Sequence, residues 1–243
     1  MRAWKWGGAT VALASVTAWM ACGQSGTGAA EGIQKAEAAT VTLGDGHCAG
    51  VVVGQGRHVL TAAHCVAPDA GRERTNFEDG RQLWGRYVFV DRGRDMAVLE
   101  LEAKAPVAPL EVAEGLPIPG AVLVFTGRHD RPGEPQRVMV ERWGRCPSLP
   151  DVPTALFTTM HGVPGDSGAP LVDEQQRVVG LVHGGARCSI AAPTGAVAPE
   201  VQRLSREDAP RARPAAGQSI TPRHGEPRAR APNAVTVSIG VRA

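Results

Sequence analysis

The chain has 243 residues, 43% of them apolar, and a formal net charge of +2. That length holds one domain of about 170–220 residues or two small ones; the apolar fraction excludes wholesale disorder, and the near-balanced charge argues against a dedicated nucleic-acid binder. Thirty glycines and 19 prolines against only 4% aromatic residues point to a Val, Leu and Ala core and to β-structure rich in turns.

In chain order, Arg2 and Lys5 give a short positive start, and Gly7 to Ala21 is an uncharged, largely apolar stretch. That is the length of a signal-peptide core and short for a membrane-spanning helix. Ala21-Cys22-Gly23 follows, then a small polar run. This arrangement resembles the lipobox of bacterial lipoproteins, in which the cysteine becomes the lipidated N-terminus, although Trp19 stands where that pattern usually has Leu. The resemblance implies a lipid anchor at Cys22 and hence a membrane partner. An ordinary cleaved signal with Cys22 as a bystander is the alternative. Either way the rest of the chain is exported, and disulfides are permitted. Setting Cys22 aside leaves Cys48, Cys65, Cys146 and Cys188, which allow three connectivities.

Residues 1–21 are thus expected as signal peptide, 22–37 as a flexible tether, 38–205 as the globular domain and 206–243 as a tail. Within the domain, short apolar runs broken by Gly, Pro and Asp predict strands. They include Ala49–Val53, Arg86–Val90, Met96–Leu101, Ala121–Thr126, Val138–Val140, Ala155–Met160 and Val178–His183. Ala105–Gly120 carries four prolines and reads as a connector between two β-halves. Pro199 to Ser205 fits a short terminal helix. The tail holds seven arginines against three acidic residues, and five prolines; such a composition predicts disorder. Its last stretch, Val235–Val241, alternates like a strand and leaves docking as a second reading.

Three segments carry chemistry: Leu60-Thr61-Ala62-Ala63-His64-Cys65, Arg94-Asp95-Met96-Ala97-Val98 and Gly165-Asp166-Ser167-Gly168-Ala169. They supply an imidazole, a carboxylate and a hydroxyl. A serine hydroxyl needs a base within hydrogen-bond reach, and the base needs a partner that fixes its tautomer. His64 serves as base, Asp95 as its orienting partner (with Asp91 the nearest competitor) and Ser167 as nucleophile. The surrounding glycines let the backbone N–H groups of Gly165 and Ser167 converge on a developing oxyanion. No His/Cys spacing suggests zinc, and no metal or cofactor is expected.

These segments resemble the three signature stretches of chymotrypsin-like (trypsin-like) serine proteases over about residues 38–205. The resemblance implies an all-β fold of two six-stranded antiparallel β-barrels with the active site between them. It implies an endopeptidase acting on polypeptide substrates through an acyl-enzyme on Ser167, with the triad roles of that family. Gly46-His47-Cys48-Ala49-Gly50 resembles the strand whose cysteine bridges to the one after the catalytic histidine, implying Cys48–Cys65. Cys188 resembles a pocket-lining cysteine; its usual partner position is Val163, which leaves Cys146 as its mate. Val179–Gly185 resembles the cleft-lining strand, which places His183 and Gly185 at the specificity pocket. Counting back from Ser167 puts His161 at the pocket floor, where trypsin-type members carry an acidic residue.

His183 stands where the family usually has a serine beside the triad carboxylate, so it either contacts Asp95 or points into the cleft. Asp166 resembles the residue that pairs with a newly cut N-terminus. Without a clear activation sequence, either a later cut exposes an end or Asp166 finds an internal partner. The loop around Glu73, Glu78 and Asp79 reads as a solvated loop or as the family's calcium loop.

Two rival functions compete with this reading. An α/β-hydrolase fails because Ala169 occupies the second glycine of the nucleophile elbow and the order His, Asp, Ser is wrong for that class. A catalytically inactive, lipid-tethered protease homologue acting as a protein-binding module usually lacks a triad member, whereas this chain keeps all three.

Overall fold

The computed structural model describes residues 25–127, 135–184 and 189–207. The expected signal peptide, Cys22, Gly185, Cys188 and the tail beyond residue 207 lie outside the described residues.

Six strands, β1 (Thr40–Leu43), β2 (Cys48–Val53), β3 (His58–Thr61), β4 (Arg72–Asn76), β5 (Gln82–Asp91) and β6 (Met96–Leu101), close into a first barrel in the order β1-β2-β3-β6-β5-β4. Successive side chains of a strand point to opposite faces, and in β2 both faces are covered. Cys48 and Val52 enter the barrel interior with Val59, Leu99 and Leu101. Val51 and Val53 turn outward onto a second cluster shared with Leu60 and Val98. Burial on both sides is why β2 reads as an unbroken apolar run, and β6 as one interrupted only by the half-buried Glu100, instead of alternating. In β5, by contrast, Trp84 and Arg86 are exposed, and that strand faces water on one side.

After the proline-rich connector, which contributes the two-residue strand β7 (Glu111–Val112), six more strands follow. They are β8 (Val122–Phe125), β9 (Gln136–Gly144), β10 (Ala155–Thr158), β11 (Pro170–Val172), β12 (Arg177–Val182) and β13 (Ile190–Pro193). They run β11-β8-β9-β10-β13-β12, and the pairing of β11 with β12 closes the second barrel. The strand β7 is an addition to the expected fold, lying parallel to β12. Leu123, Phe125, Val138, Leu156, Leu171 and Val179 fill this barrel. Val172, Val178, Leu181 and Ile190 face outward into the same cluster that receives Val51, Val53, Leu60 and Val98. That shared cluster is the seam between the barrels.

The tether expectation needs correction. Residues Ser25–Ala39 form a helix, α1, that runs into β1. Its Ala, Glu, Gln and Lys residues favour a helix despite the glycines, and Ala36 and Ala39 are buried in the seam cluster. Thr40 Oγ1 donates to the Ala36 carbonyl at 2.8 Å, binding the end of α1 to the first strand. The expected terminal helix is present as α2 (Ala198–Glu207), with Val201 and Leu204 buried.

Candidate active site

His64 lies in a 3₁₀ turn, Ala63–Cys65, directly after β3. Three interactions hold that turn. Cys65 is disulfide-bonded to Cys48 at the head of β2, as the sequence implied. Arg92, in the turn between β5 and β6, donates from its guanidinium to the carbonyls of Ala63 and Val66 at 3.1 and 3.0 Å. The backbone N–H of His64 donates to Asp95 Oδ1 at 2.9 Å. No motif announced the Arg92 clamp; it depends on where the β5–β6 turn falls in space.

Asp95 ends that turn with φ +57°, a left-handed conformation that Asp and Asn tolerate better than most residues. Its competitor Asp91 is engaged elsewhere, accepting from the backbone and the guanidinium of Arg94 at 3.0 and 2.6 Å. His64 Nδ1 lies 3.0 and 2.9 Å from the two carboxylate oxygens of Asp95. His183 Nδ1 lies 2.5 Å from Oδ2. Burial is the largest single influence on Asp95 and pushes its pKa up, but the hydrogen bonds from His183 and His64 together outweigh it and hold the pKa at about 2. Asp95 is therefore a carboxylate throughout the neutral range. An ionised carboxylate only accepts, so both imidazole nitrogens facing it carry hydrogens. That leaves Nε2 of a neutral His64 with its lone pair, the basic site the chemistry needs.

Ser167 sits in a turn that the first barrel holds. Its carbonyl accepts from the Ala49 N–H at 2.8 Å, and Thr61 Oγ1 donates to the Ala49 carbonyl at 2.6 Å. Gly168 (φ +84°) packs so closely here that a Cβ would fall 2.2 Å from the Ala49 carbonyl oxygen. Gly165 is also left-handed, at φ +96°. Among the described residues the N–H groups of Gly165 and Ser167 have no backbone acceptor. Ser167 Oγ donates to the His183 carbonyl at 3.3 Å. Among the described residues no hydrogen bond joins it to His64.

The structure thus brings together His64, Asp95 and His183, with the Ser167 hydroxyl on the His183 carbonyl. It turns the His183 ring onto Asp95, edge-on to His64 with ring centroids 4.8 Å apart. The placement of that side chain at the specificity pocket is corrected accordingly, because a buried carboxylate captures the imidazole. His161 is exposed, its backbone N–H and C=O bonded to the Gln136 side chain. Asp166 is buried and accepts from the Val163 N–H at 2.8 Å. Cys146 is buried; its expected mate Cys188 and the pocket residue Gly185 lie outside the described residues. In the loop around Glu73, Glu78 and Asp79, Asp79 accepts from Arg81.

The profile of the trypsin-like peptidase domain matches residues 48–181. The chain belongs to the trypsin-like serine peptidase family. No curated protein sequence matches it. Among solved structures, the trypsin-like chain resembles the HtrA-type protease AlgW with tripeptide. The two are 23% identical with a TM-score of 0.59, over 72% of this chain and 62% of that one. It also resembles the MamO protease domain from Magnetospirillum magneticum (19%, TM-score 0.57, 68% and 97% covered). A third likeness is to the serine endoprotease from Yersinia pestis (21%, TM-score 0.57, 74% and 66%). At these identities the likeness is one of fold. The trypsin-like chain spans about three-fifths of the AlgW length.

Proposed function

We propose that this chain is an active serine endopeptidase that hydrolyses peptide bonds through an acyl-enzyme on Ser167. The observation carrying the reading is the Asp95–His64 pair, with the His64 tautomer fixed, beside a serine turn whose Gly165 and Ser167 N–H groups are unclaimed among the described residues. In this reading the Ser167 hydroxyl leaves the His183 carbonyl and turns to His64 Nε2 when substrate is bound. His64 takes the hydroxyl proton as Oγ bonds to the substrate carbonyl carbon, and the oxygen's new negative charge rests on the two N–H groups. The tetrahedral species collapses, the C–N bond breaks and His64 passes its proton to the leaving amine. Water then attacks the ester with the same base, releasing the acid and restoring Ser167.

Polypeptide substrates are supported by the family and by the peptide-bound AlgW structures, with tripeptide and with decapeptide. The second reading, an inactive protein-binding homologue, is favoured by one observation: Ser167 Oγ bonds to the His183 carbonyl and not to His64. A fluorophosphonate probe separates the two. Covalent labelling that disappears in Ser167→Ala and in His64→Ala is the expected result. Folded, disulfide-bonded protein that takes up no label decides for the binding module.

The reading includes export and a lipid anchor at Cys22, supported by the N-terminal sequence and by the suitability of the Cys48–Cys65 bridge for an oxidising compartment. Among the described residues no helix is long and apolar enough to cross a membrane. Fatty-acid incorporation in cells that is lost in Cys22→Ser is the expected result; equal incorporation by the variant overturns the anchor.

A further inference from the structure

Three side chains that can each offer a lone pair to a metal ion converge behind His64. His64, Asp95 and His183 place their ligand atoms within 4.8 Å of one another. The Nδ1 atoms of His64 and His183 both face Asp95 Oδ2, at 2.9 and 2.5 Å. The His64 backbone N–H donates to Asp95 Oδ1 at 2.9 Å, which steadies the carboxylate on one oxygen while the other meets both rings. No spacing in the sequence announces this set, because its members come from the 3₁₀ turn, the β5–β6 turn and the residue just past β12.

We infer that His64, Asp95 and His183 form a binding site for a divalent transition cation of the zinc class, and that occupation of this site switches the peptidase off. The switching half rests on the peptidase reading above; the binding half does not. Two imidazoles and a carboxylate suit zinc and its neighbours, whereas Mg²⁺ and Ca²⁺ take oxygen ligands. Three protein ligands leave the fourth tetrahedral position to water. With metal–ligand bonds of about 2.0–2.1 Å, neighbouring ligand atoms of such a site stand about 3.3 Å apart. The contacts of 2.9 and 2.5 Å therefore open by about 0.4 and 0.8 Å to admit the ion. The His64 side chain is 38% exposed, against 14% for His183 and 5% for Asp95. It supplies that movement and the side from which the ion enters. The backbone N–H on Oδ1 then keeps the carboxylate aimed at the metal.

The consequence for His64 follows from hydrogen counting. Without the ion, Nδ1 carries the hydrogen and Nε2 the lone pair. A cation on Nδ1 reverses this, because a neutral imidazole keeps one hydrogen and must then hold it on Nε2. Each ring gives its Nδ1 hydrogen to solvent and takes one up at Nε2. Two metal–nitrogen bonds and one metal–oxygen bond form with no net proton release and no change of oxidation state. His64 then presents an N–H to Ser167 and has no lone pair with which to take the hydroxyl proton.

The test follows hydrolysis of a labelled, unfolded polypeptide by wild type, His183→Asn and His183→Ser, each referred to its own rate in EDTA. Asparagine keeps an N–H for Asp95 and serine a hydroxyl; neither offers an imidazole lone pair. Zinc chloride is expected to lower the wild-type rate at least about 100-fold, as loss of the triad base would. EDTA should restore it, and calcium chloride at the same concentration should leave it unchanged. The half-inhibiting zinc concentration should rise more than about tenfold in both variants, since even outer-shell changes cost a metal site about 10–100-fold.

Two readouts need no activity. In Ser167→Ala protein, calorimetric titration with zinc should show a site that weakens by the same factor when His183 is also replaced. In ¹⁵N-histidine NMR, added zinc should move the His64 hydrogen from Nδ1 to Nε2. Equal zinc sensitivity in wild type and both variants, a titration indifferent to His183, or a His64 hydrogen that stays on Nδ1 overturns the proposal. Metal-free wild type that neither hydrolyses polypeptide nor takes up fluorophosphonate defeats the peptidase reading instead, and calorimetry and NMR still decide the metal site.

Discussion

Asp95 shows how much a single position can settle. Its left-handed backbone and its acceptor-only carboxylate together fix where His64 lies and which nitrogen carries the hydrogen. Asn also tolerates positive φ, so Asp95→Asn tests the charge without disturbing the turn. We expect folding to be retained and kcat/KM to fall by about 10⁴-fold, as when the triad base is held in the wrong tautomer. A loss below tenfold would mean that the carboxylate does not orient His64. The pH dependence follows from the same residue. Its folded pKa, about 2, lies below the unfolded value of about 3.9, so its contribution to stability is present above roughly pH 4 and is lost as pH falls towards 2. Loss of activity between pH 7 and 5 therefore does not come from protonation of Asp95. Activity that persists unchanged to pH 4 would count against a histidine base.

At the scale of elements, the site is made by turns that ordered strands present to one another. The serine turn fits against β2 and β3 only because Gly168 lacks a side chain. Adding a methyl would set it 2.2 Å from a backbone oxygen and 2.5 Å from Thr61 Oγ1, at a φ of +84°. Gly168→Ala is expected to destabilise the protein by about 2–3 kcal/mol and to abolish labelling of Ser167, measured by chemical denaturation and by the probe. The His64 turn is braced from the other side by Arg92. Removing two hydrogen bonds from an exposed arginine costs about 1 kcal/mol. Arg92→Ala should therefore lower kcat about fivefold with little change in KM, because the base loses its placement and the substrate keeps its contacts. An unchanged kcat would reduce the clamp to a surface contact.

Across the whole molecule, the seam between the barrels is a third apolar cluster beside the two barrel interiors. Leu60 is fully buried in that cluster, which also holds residues of the opposite barrel and of both helices. Leu60→Ala is expected to cost about 2–5 kcal/mol, and because the seam joins both barrels, the loss should appear in both. Trp84 on β5 and Trp143 on β9 report one barrel each. Comparison of the Trp84→Phe and Trp143→Phe proteins should give coincident denaturation midpoints, before and after the Leu60 change. Separate midpoints would show that the barrels unfold independently.

What the sequence determined by itself is local. The short runs became strands because β-structure needs only a few consecutive residues to declare it, and the His64–Asp95 pair was legible because His64 follows a run of small residues and Asp95 directly precedes an apolar strand. Asp95 was separable from Asp91 by its place in a motif. What tertiary structure decided is whatever depends on side chains meeting from distant stretches. The Ala-rich segment became a helix instead of a tether because the seam gave Ala36 and Ala39 a surface to cover. The His183 ring turned to Asp95 instead of the cleft because the end of β12 brings it within reach of a buried charge in need of donors. Arg92 became a clamp, and Gly168 irreplaceable, through contacts with backbone that is remote in sequence. Hydrogen bonds and close packing act over a few ångströms of space, and only the folded chain fixes which residues lie within that range.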